Sequence, residues 1–442
     1  MHTESFSFDY QPGAIHYGRG QAEQLEAILT DAGYERALVV CGSNTGANEA
    51  LMEPIERGLG ETHHGTFDGT TPDKRAATAV AVAQRADDLD ADVLVPVGGG
   101  SSLDVATVAS VVRADGRDTA AVRAEVRETG GIALPDDESA LTPLVPVPTT
   151  LAGADLSTLA GITVELDDTV VATGVGGTAL MPAAVVYDPA LFETTPPSVL
   201  AGSAMNGFDK AIESLYAANR TPLTDATARR AVAYFDDGLP RLFDEMDDPH
   251  TDSGSTDGTD SGSTDGTDSE STDGTDSGST YGTDSGSTYD STAVDSVVAG
   301  VVLAQYGISR PGETTLNVLH AFGHALRDTF DLQQGVAHAV IAPEALRALF
   351  DAGVDSDPLV EAFGVDDSTT VVDRVEAIRD ALGLPATLRA ATDWDGPADD
   401  DAVAAALEEA AAATAADSLR VNAPPAFELT ESAARRVLAA AW

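Results

Sequence analysis

Over the first 187 residues, apolar positions gather in short β-branched runs separated by longer stretches of helical period. Ala37-Leu38-Val39-Val40, Asp92-Val93-Leu94-Val95-Pro96-Val97 and Leu144-Val145-Pro146-Val147 have the length and continuity of strands buried on both faces. Pro72 to Asp88, with its alanine-rich face, predicts a helix between two of them. That alternation predicts βαβ units around a mainly parallel sheet. From about Asp188 onward the strand pattern fades. Ser198–Ala218, Ala402–Ala416 and Glu431–Ala441 are alanine-rich and periodic, so an all-helical part is expected to follow. The expected organisation is an α/β unit over 1–187, a helical unit over 188–442, and a ligand cleft between them.

One segment fits neither pattern. Thr251 to Asp290 is five consecutive octapeptides built from Asp, Ser, Thr, Gly, Glu and Tyr, beginning TDSGSTDG. It holds almost nothing that could fill a core, so a disordered insertion between two helices is expected. The rest of the composition points the same way about solvent. Acidic residues number 73 against 24 basic ones, a formal charge of -49 spread along the 442-residue chain. Such a field repels nucleic acid and anionic membranes, and it suits a halophilic protein whose self-repulsion is screened by salt. Cys41 is the single cysteine, which excludes an intrachain disulfide and a thiolate metal cluster. The opening MHTESFSFDY has neither the basic nor the apolar region of a secretory signal, and no apolar run approaches the ~18 residues of a membrane helix. A cytoplasmic protein is expected, acting on a small molecule, with a homodimer left open.

Two places carry candidate chemistry. Val97-Gly98-Gly99-Gly100-Ser101-Ser102-Leu103-Asp104 follows a strand and opens a helix expected over Val105 to Val112. Gly98, Gly99 and Gly100 let backbone N–H groups approach a pyrophosphate at a helix N-terminus, with Ser101, Ser102 and Asp104 beside them. Neither GxGxxG nor the P-loop spacing is met, so this is a different phosphate cradle. Thr149 and Thr150, in Pro148-Thr149-Thr150-Leu151-Ala152-Gly153, leave the next strand where hydroxyls can meet a cofactor. The second place is Lys210. The chain has two lysines, Lys74 and Lys210, and Lys210 lies within the apolar helical run Ala204 to Glu213. A lysine retained there has either a task or a route to the surface along its own stem.

In order along the chain, Ile15-His16-Tyr17-Gly18-Arg19-Gly20, Phe67 to Pro72, GGGSSLD, PTTLAG, Leu180-Met181-Pro182 with Asp188-Pro189, AMNGFDKAIE and HAFGHAL resemble the iron-containing alcohol dehydrogenase superfamily, which includes maleylacetate reductases. The resemblance implies a dinucleotide-binding α/β domain, a helical C-terminal domain like that of dehydroquinate synthase, and nicotinamide redox chemistry with NAD or NADP. It also implies where a metal is usually held. Those ligand positions fall on Asn206, Lys210, His320 and Gln334, and only His320 is a family ligand type. No metal is therefore expected, iron and zinc included, because an ammonium has no lone pair to give. Asn206 and His338 are similar to residues of the metal-independent maleylacetate reductases. Thr107 stands where a lysine often follows the glycine turn, and Gly42 where NAD-preferring members often carry an aspartate.

Hydride transfer to a carbonyl needs positive charge at the substrate oxygen. The expectation is that Lys210 supplies it, that His324 relays a proton, and that Asn206, His320 and Gln334 surround the substrate. Positions 206/210 and 320/324 are each one helical turn apart, so each pair shares a face. The expected function is an NAD(P)-dependent interconversion of a small alcohol and its carbonyl compound. The competing expectation is a nucleotide-binding pseudoenzyme that kept the fold after losing the metal.

Overall fold

The computed structural model describes residues 13–167, 169–243, 289–310, 313–392 and 401–442. The octapeptide insertion lies outside the described residues, except for Tyr289 and Asp290 at its end. Among the described residues the strands are β1 (Ala14–Tyr17), β2 (Ala37–Gly42), β3 (His63–Thr70), β4 (Val93–Gly98), β5 (Val147–Pro148), β6 (Leu159–Leu166), β7 (Thr169–Gly176) and β8 (Ala184–Tyr187). β3-β2-β4-β5 form a parallel sheet in that order, and β1 pairs in parallel with β8. β2 is buried along five of its six residues and β4 along all six, which explains their uninterrupted apolar runs.

Helices α1 (Ala76–Asp88) and α2 (Gly100–Ala114) pack side by side in one core with Leu38, Val40 and Leu94. The helix expected from Pro72 starts later, at Ala76. Residues Pro72 to Arg75 instead form a turn in which Lys74 takes φ 48° and Arg75 bridges to Thr163. The antiparallel hairpin β6–β7 was not expected. Gly161, Gly174 and Gly176 interrupt its strands, and glycine weakens the strand signal.

Beyond Asp188 the described residues form helices joined by loops, with isolated bridges but no strand: α3 (Pro197–Tyr216), α4 (Pro222–Gly238), α5 (Ser291–Ile308), α6 (Val318–Phe330) and α7 (Gln334–Asp351), then further helices ending at Ala441. The 18-residue α5, with a mean hydropathy of 1.3, is long and apolar enough to cross a membrane, which corrects the reading that no segment approaches that length. It packs against α3 and α4 and contributes Val294, Val297, Val298 and Val301 to the largest core, so much of its apolar surface is already covered. α3 is central to that core. Its Gly207 has no Cβ because Leu151 O would lie 2.1 Å from one, and this close approach seats α3 directly on the loop after β5.

Candidate active site

The glycine turn and the threonine pair meet as the spacing predicts. β4 ends at Gly98, whose φ of 119° only glycine adopts without strain, and α2 begins at Gly100. No side chain caps the N-terminus of this 15-residue helix. Its leading amides are therefore a fitting cradle for a pyrophosphate. Thr150 flanks the turn, since a Cβ at Gly99 would stand 3.1 Å from Thr150 Cγ2. The Thr149 amide donates to Gly98 O at 3.1 Å. Ser102 Oγ lies 2.9 Å from Thr70 Oγ1, and Ser101 stays partly exposed. Asp104 faces elsewhere: its Oδ2 is 2.5 Å from Lys74 Nζ, so the two form an ion pair beneath the β6–β7 hairpin. Gly42 ends β2, with Thr70 O 3.2 Å from where a Cβ would be.

The loop after β5 joins this cradle to the helices. Leu151 N–H donates to Ser203 Oγ of α3 at 3.0 Å, and Thr195 Oγ1 donates to Thr149 O at 2.8 Å. Three residues beyond Thr150, Gly153 O accepts a hydrogen bond from Lys210 Nζ, which also donates to Gln305 Oε1 of α5 at 3.1 Å. Lys210 is 7% exposed, so its head does not reach the surface. Among the described residues it has these two acceptors, which leaves one of its three N–H donors for a ligand. Burial pushes the Lys210 pKa down to about 8, against the opposing fields of Asp155, Glu213 and Asp104. Asp155, buried and hydrogen-bonded by Tyr187 Oη, is pushed up to about 6 by the same desolvation, against the pull of Lys210. Both shifts oppose pairing because desolvation penalises each charge separately. Between those two values the amine is charged and the carboxylate ionised.

Asn206 and His320 are brought together, 3.1 Å from Oδ1 to Nε2. Glu213 organises the other side of the ring. Its Oε1 accepts from the backbone N–H groups of Asn317, Leu319 and His320 at 3.2, 2.6 and 3.1 Å, covering the start of α6. Its Oε2 is 2.5 Å from His320 Nδ1. Burial raises Glu213 to about 8, while burial and then His338 hold His320 well below its ordinary value. A proton on Glu213 Oε2 donated to Nδ1 leaves Nε2–H to donate to Asn206 Oδ1, which satisfies each atom in the row. His338 is fully buried, edge-on to His320 at 4.5 Å, and pushed down to about 3 chiefly by burial. Its Nδ1 is 3.1 Å from Asp209 Oδ2, although neither side chain is aligned for a hydrogen bond. His324 turns the other way, with Nδ1 2.9 Å from Asp417 Oδ2 near the surface. Gln334 opens α7 and is half-buried.

The donor set does not suit the metal that the family resemblance implies. Lys210 presents a cation, and His320 directs Nε2 at an amide oxygen already in contact with it. Among the described residues no group of three His, Cys, Asp or Glu could hold a metal ion. The family resemblance put Asn206, Lys210, His320 and Gln334 forward, and of these the structure brings Asn206 to His320. The resemblance missed Asp155 and Glu213, whose acids look like any others in so acidic a chain. The only signal for Glu213 was its place three residues after Lys210 in an apolar run.

Residues 12–189 match the family Iron-containing alcohol dehydrogenase. Maleylacetate reductase 2 of Cupriavidus pinatubonensis is 30% identical over 243 residues, 55% of this chain and 58% of that protein. The maleylacetate reductase of Pseudomonas aeruginosa is 26% identical over 390 residues, covering 87% of this chain and 86% of the relative. Among solved structures, a sulfoacetaldehyde reductase from Bifidobacterium kashiwanohense in complex with NAD+ superposes with a TM-score of 0.76 at 18% identity, covering 99% of both chains, which is a likeness of fold. The chain is thus similar to the iron-containing alcohol dehydrogenase family over residues 12–189, and to a maleylacetate reductase over most of its length.

Proposed function

We propose that the protein is an NAD(P)-dependent oxidoreductase that interconverts a small alcohol and its carbonyl compound without a metal, using the Lys210 ammonium at the substrate oxygen. The observation that carries this reading is a buried lysine fastened to the loop that leads from the glycine turn. A bound nicotinamide dinucleotide supplies the hydride. Gly98, Gly99 and Gly100 with the start of α2 receive its pyrophosphate, flanked by Ser101, Ser102, Thr149 and Thr150. The free Lys210 N–H holds the carbonyl oxygen and opposes the negative charge that develops on it. The row Glu213–His320–Asn206 fixes the Asn206 amide one helical turn from Lys210 on α3. His324, half-exposed and turned to Asp417, stands apart from this row, so the expected proton relay through it is not part of the reading. Relatives named as maleylacetate reductases support the reductive direction.

A second reading has one observation in its favour: Lys210, His320 and His324 each already have a partner within the protein. That arrangement also suits a nucleotide-binding protein without turnover. NADH and NADPH oxidation in high salt against a panel of small carbonyl compounds, maleylacetate included, separates the two. Turnover that survives a chelator supports the metal-free enzyme. Dinucleotide binding without turnover on any of them supports the second reading.

A further inference from the structure

The position that usually carries an acid for the adenosine ribose is Gly42, which has no side chain to offer. The neighbouring strand supplies one. In the sheet order β3-β2-β4-β5, the glycine turn follows β4, β2 lies beside it, and β3 is next outward. A dinucleotide whose pyrophosphate sits on that turn extends its adenosine over the ends of β2 and then β3. The helical turn Ser43–Gly46 marks this path. At one end, Thr45 Oγ1 is 3.5 Å from the place of a Cβ on Gly98. At the other, Asp68 Cβ is 2.9 Å and Asp68 Oδ2 3.8 Å from the place of a Cβ on Gly46. Asp68 is exposed, and its carboxylate hydrogen-bonds to none of the described residues.

We infer that Asp68 binds the adenosine ribose hydroxyls and makes the protein selective for NAD over NADP, replacing from β3 the acid that β2 lacks at Gly42. This rests on the dinucleotide-binding reading above. An exposed carboxylate accepts from two vicinal hydroxyls and repels a 2′-phosphate. A 2′-phosphate would instead need a cation, and the nearby sequence has none to spare. From Ser43 to Arg75 the basic residues are Arg57, Lys74 and Arg75. Arg57 pairs with Glu23 and Glu53, Lys74 with Asp104, and Arg75 with Asp73 and Glu165.

The test is a titration of the whole protein with NADH and with NADPH, followed by the fluorescence of the reduced nicotinamide, in multimolar KCl where long-range repulsion is screened. Wild type is expected to bind NADH at least about tenfold more tightly than NADPH, and Asp68→Asn and Asp68→Ser to shrink that ratio by about tenfold. A wild-type preference for NADPH overturns the inference. So does a ratio left unchanged in both variants while NADH binding persists. Failure of the wild type to bind either dinucleotide removes the oxidoreductase reading itself, and this inference with it.

Discussion

At the scale of single residues the account rests on Lys210. Lys210→Met keeps the length of the side chain and removes the charge. Turnover in that variant should fall by at least about a hundredfold, while NADH binding stays within a factor of about three, because the charge acts on the transition state. Steady-state kinetics and a binding titration on one preparation check this. In wild type, carbonyl reduction should decline as pH rises through about 8, where the buried amine loses its proton. Asp155 favours the charged amine, so Asp155→Asn should move that alkaline limb to lower pH; a pH profile of kcat/KM reads the shift. Lys210 was legible in the sequence because lysine is so rare there. Asp155 was not, because its value comes from Tyr187, from Lys210 and from burial, none of which its own segment displays.

At the scale of elements, Glu213 joins α3 to α6. Three backbone donors at the start of α6 converge on its Oε1. Glu213→Ala orphans all three and should cost about 3 kcal/mol or more in denaturant unfolding. Glu213→Gln keeps the accepting oxygen and donates to His320 Nδ1, so it should fold nearly as well as wild type at neutral pH. The sign of the pH effect separates these cases. Glu213 is raised from 4.5 to about 8 in the folded protein, so the stability it contributes is complete below 4.5 and lost as pH rises through about 8. Glu213→Gln should therefore lose less stability than wild type between pH 7 and 9; equal losses would mean that the carboxyl is already ionised in the fold. The ends of the octapeptide region are also held at this scale: Phe243 and Tyr289 form an antiparallel bridge with rings 5.5 Å apart. Replacing 244–288 with a short turn should leave the unfolding transition in place, as circular dichroism can check. The apolar runs announced β2, β4 and α3, while α4, α5 and α7 were not singled out. The hairpin β6–β7 stayed hidden, since glycines and a surface position blur its alternation.

Across the whole molecule, charge and chemistry separate cleanly. A formal charge of -49 should make thermal stability climb steeply as KCl is raised toward multimolar, and dialysis to low salt should loosen the fold, as scanning calorimetry can show. The site is insulated from that field by burial, which pushes Lys210, His320 and His338 down and Asp155, Asp209 and Glu213 up. The glycine turn, the loop after β5 and α3 form a continuous line that ends at the Lys210 amine. Which partners each side chain would choose was not readable, because those contacts join segments dozens of residues apart. The central claim is that an organic cation does the electrostatic work at the substrate oxygen. Elemental analysis of catalytically active protein, dialysed against a chelator and assayed before and after, tests it most directly. The account predicts far less than one iron or zinc per chain with activity unchanged; a stoichiometric metal whose removal abolishes turnover, and whose return restores it, would contradict it.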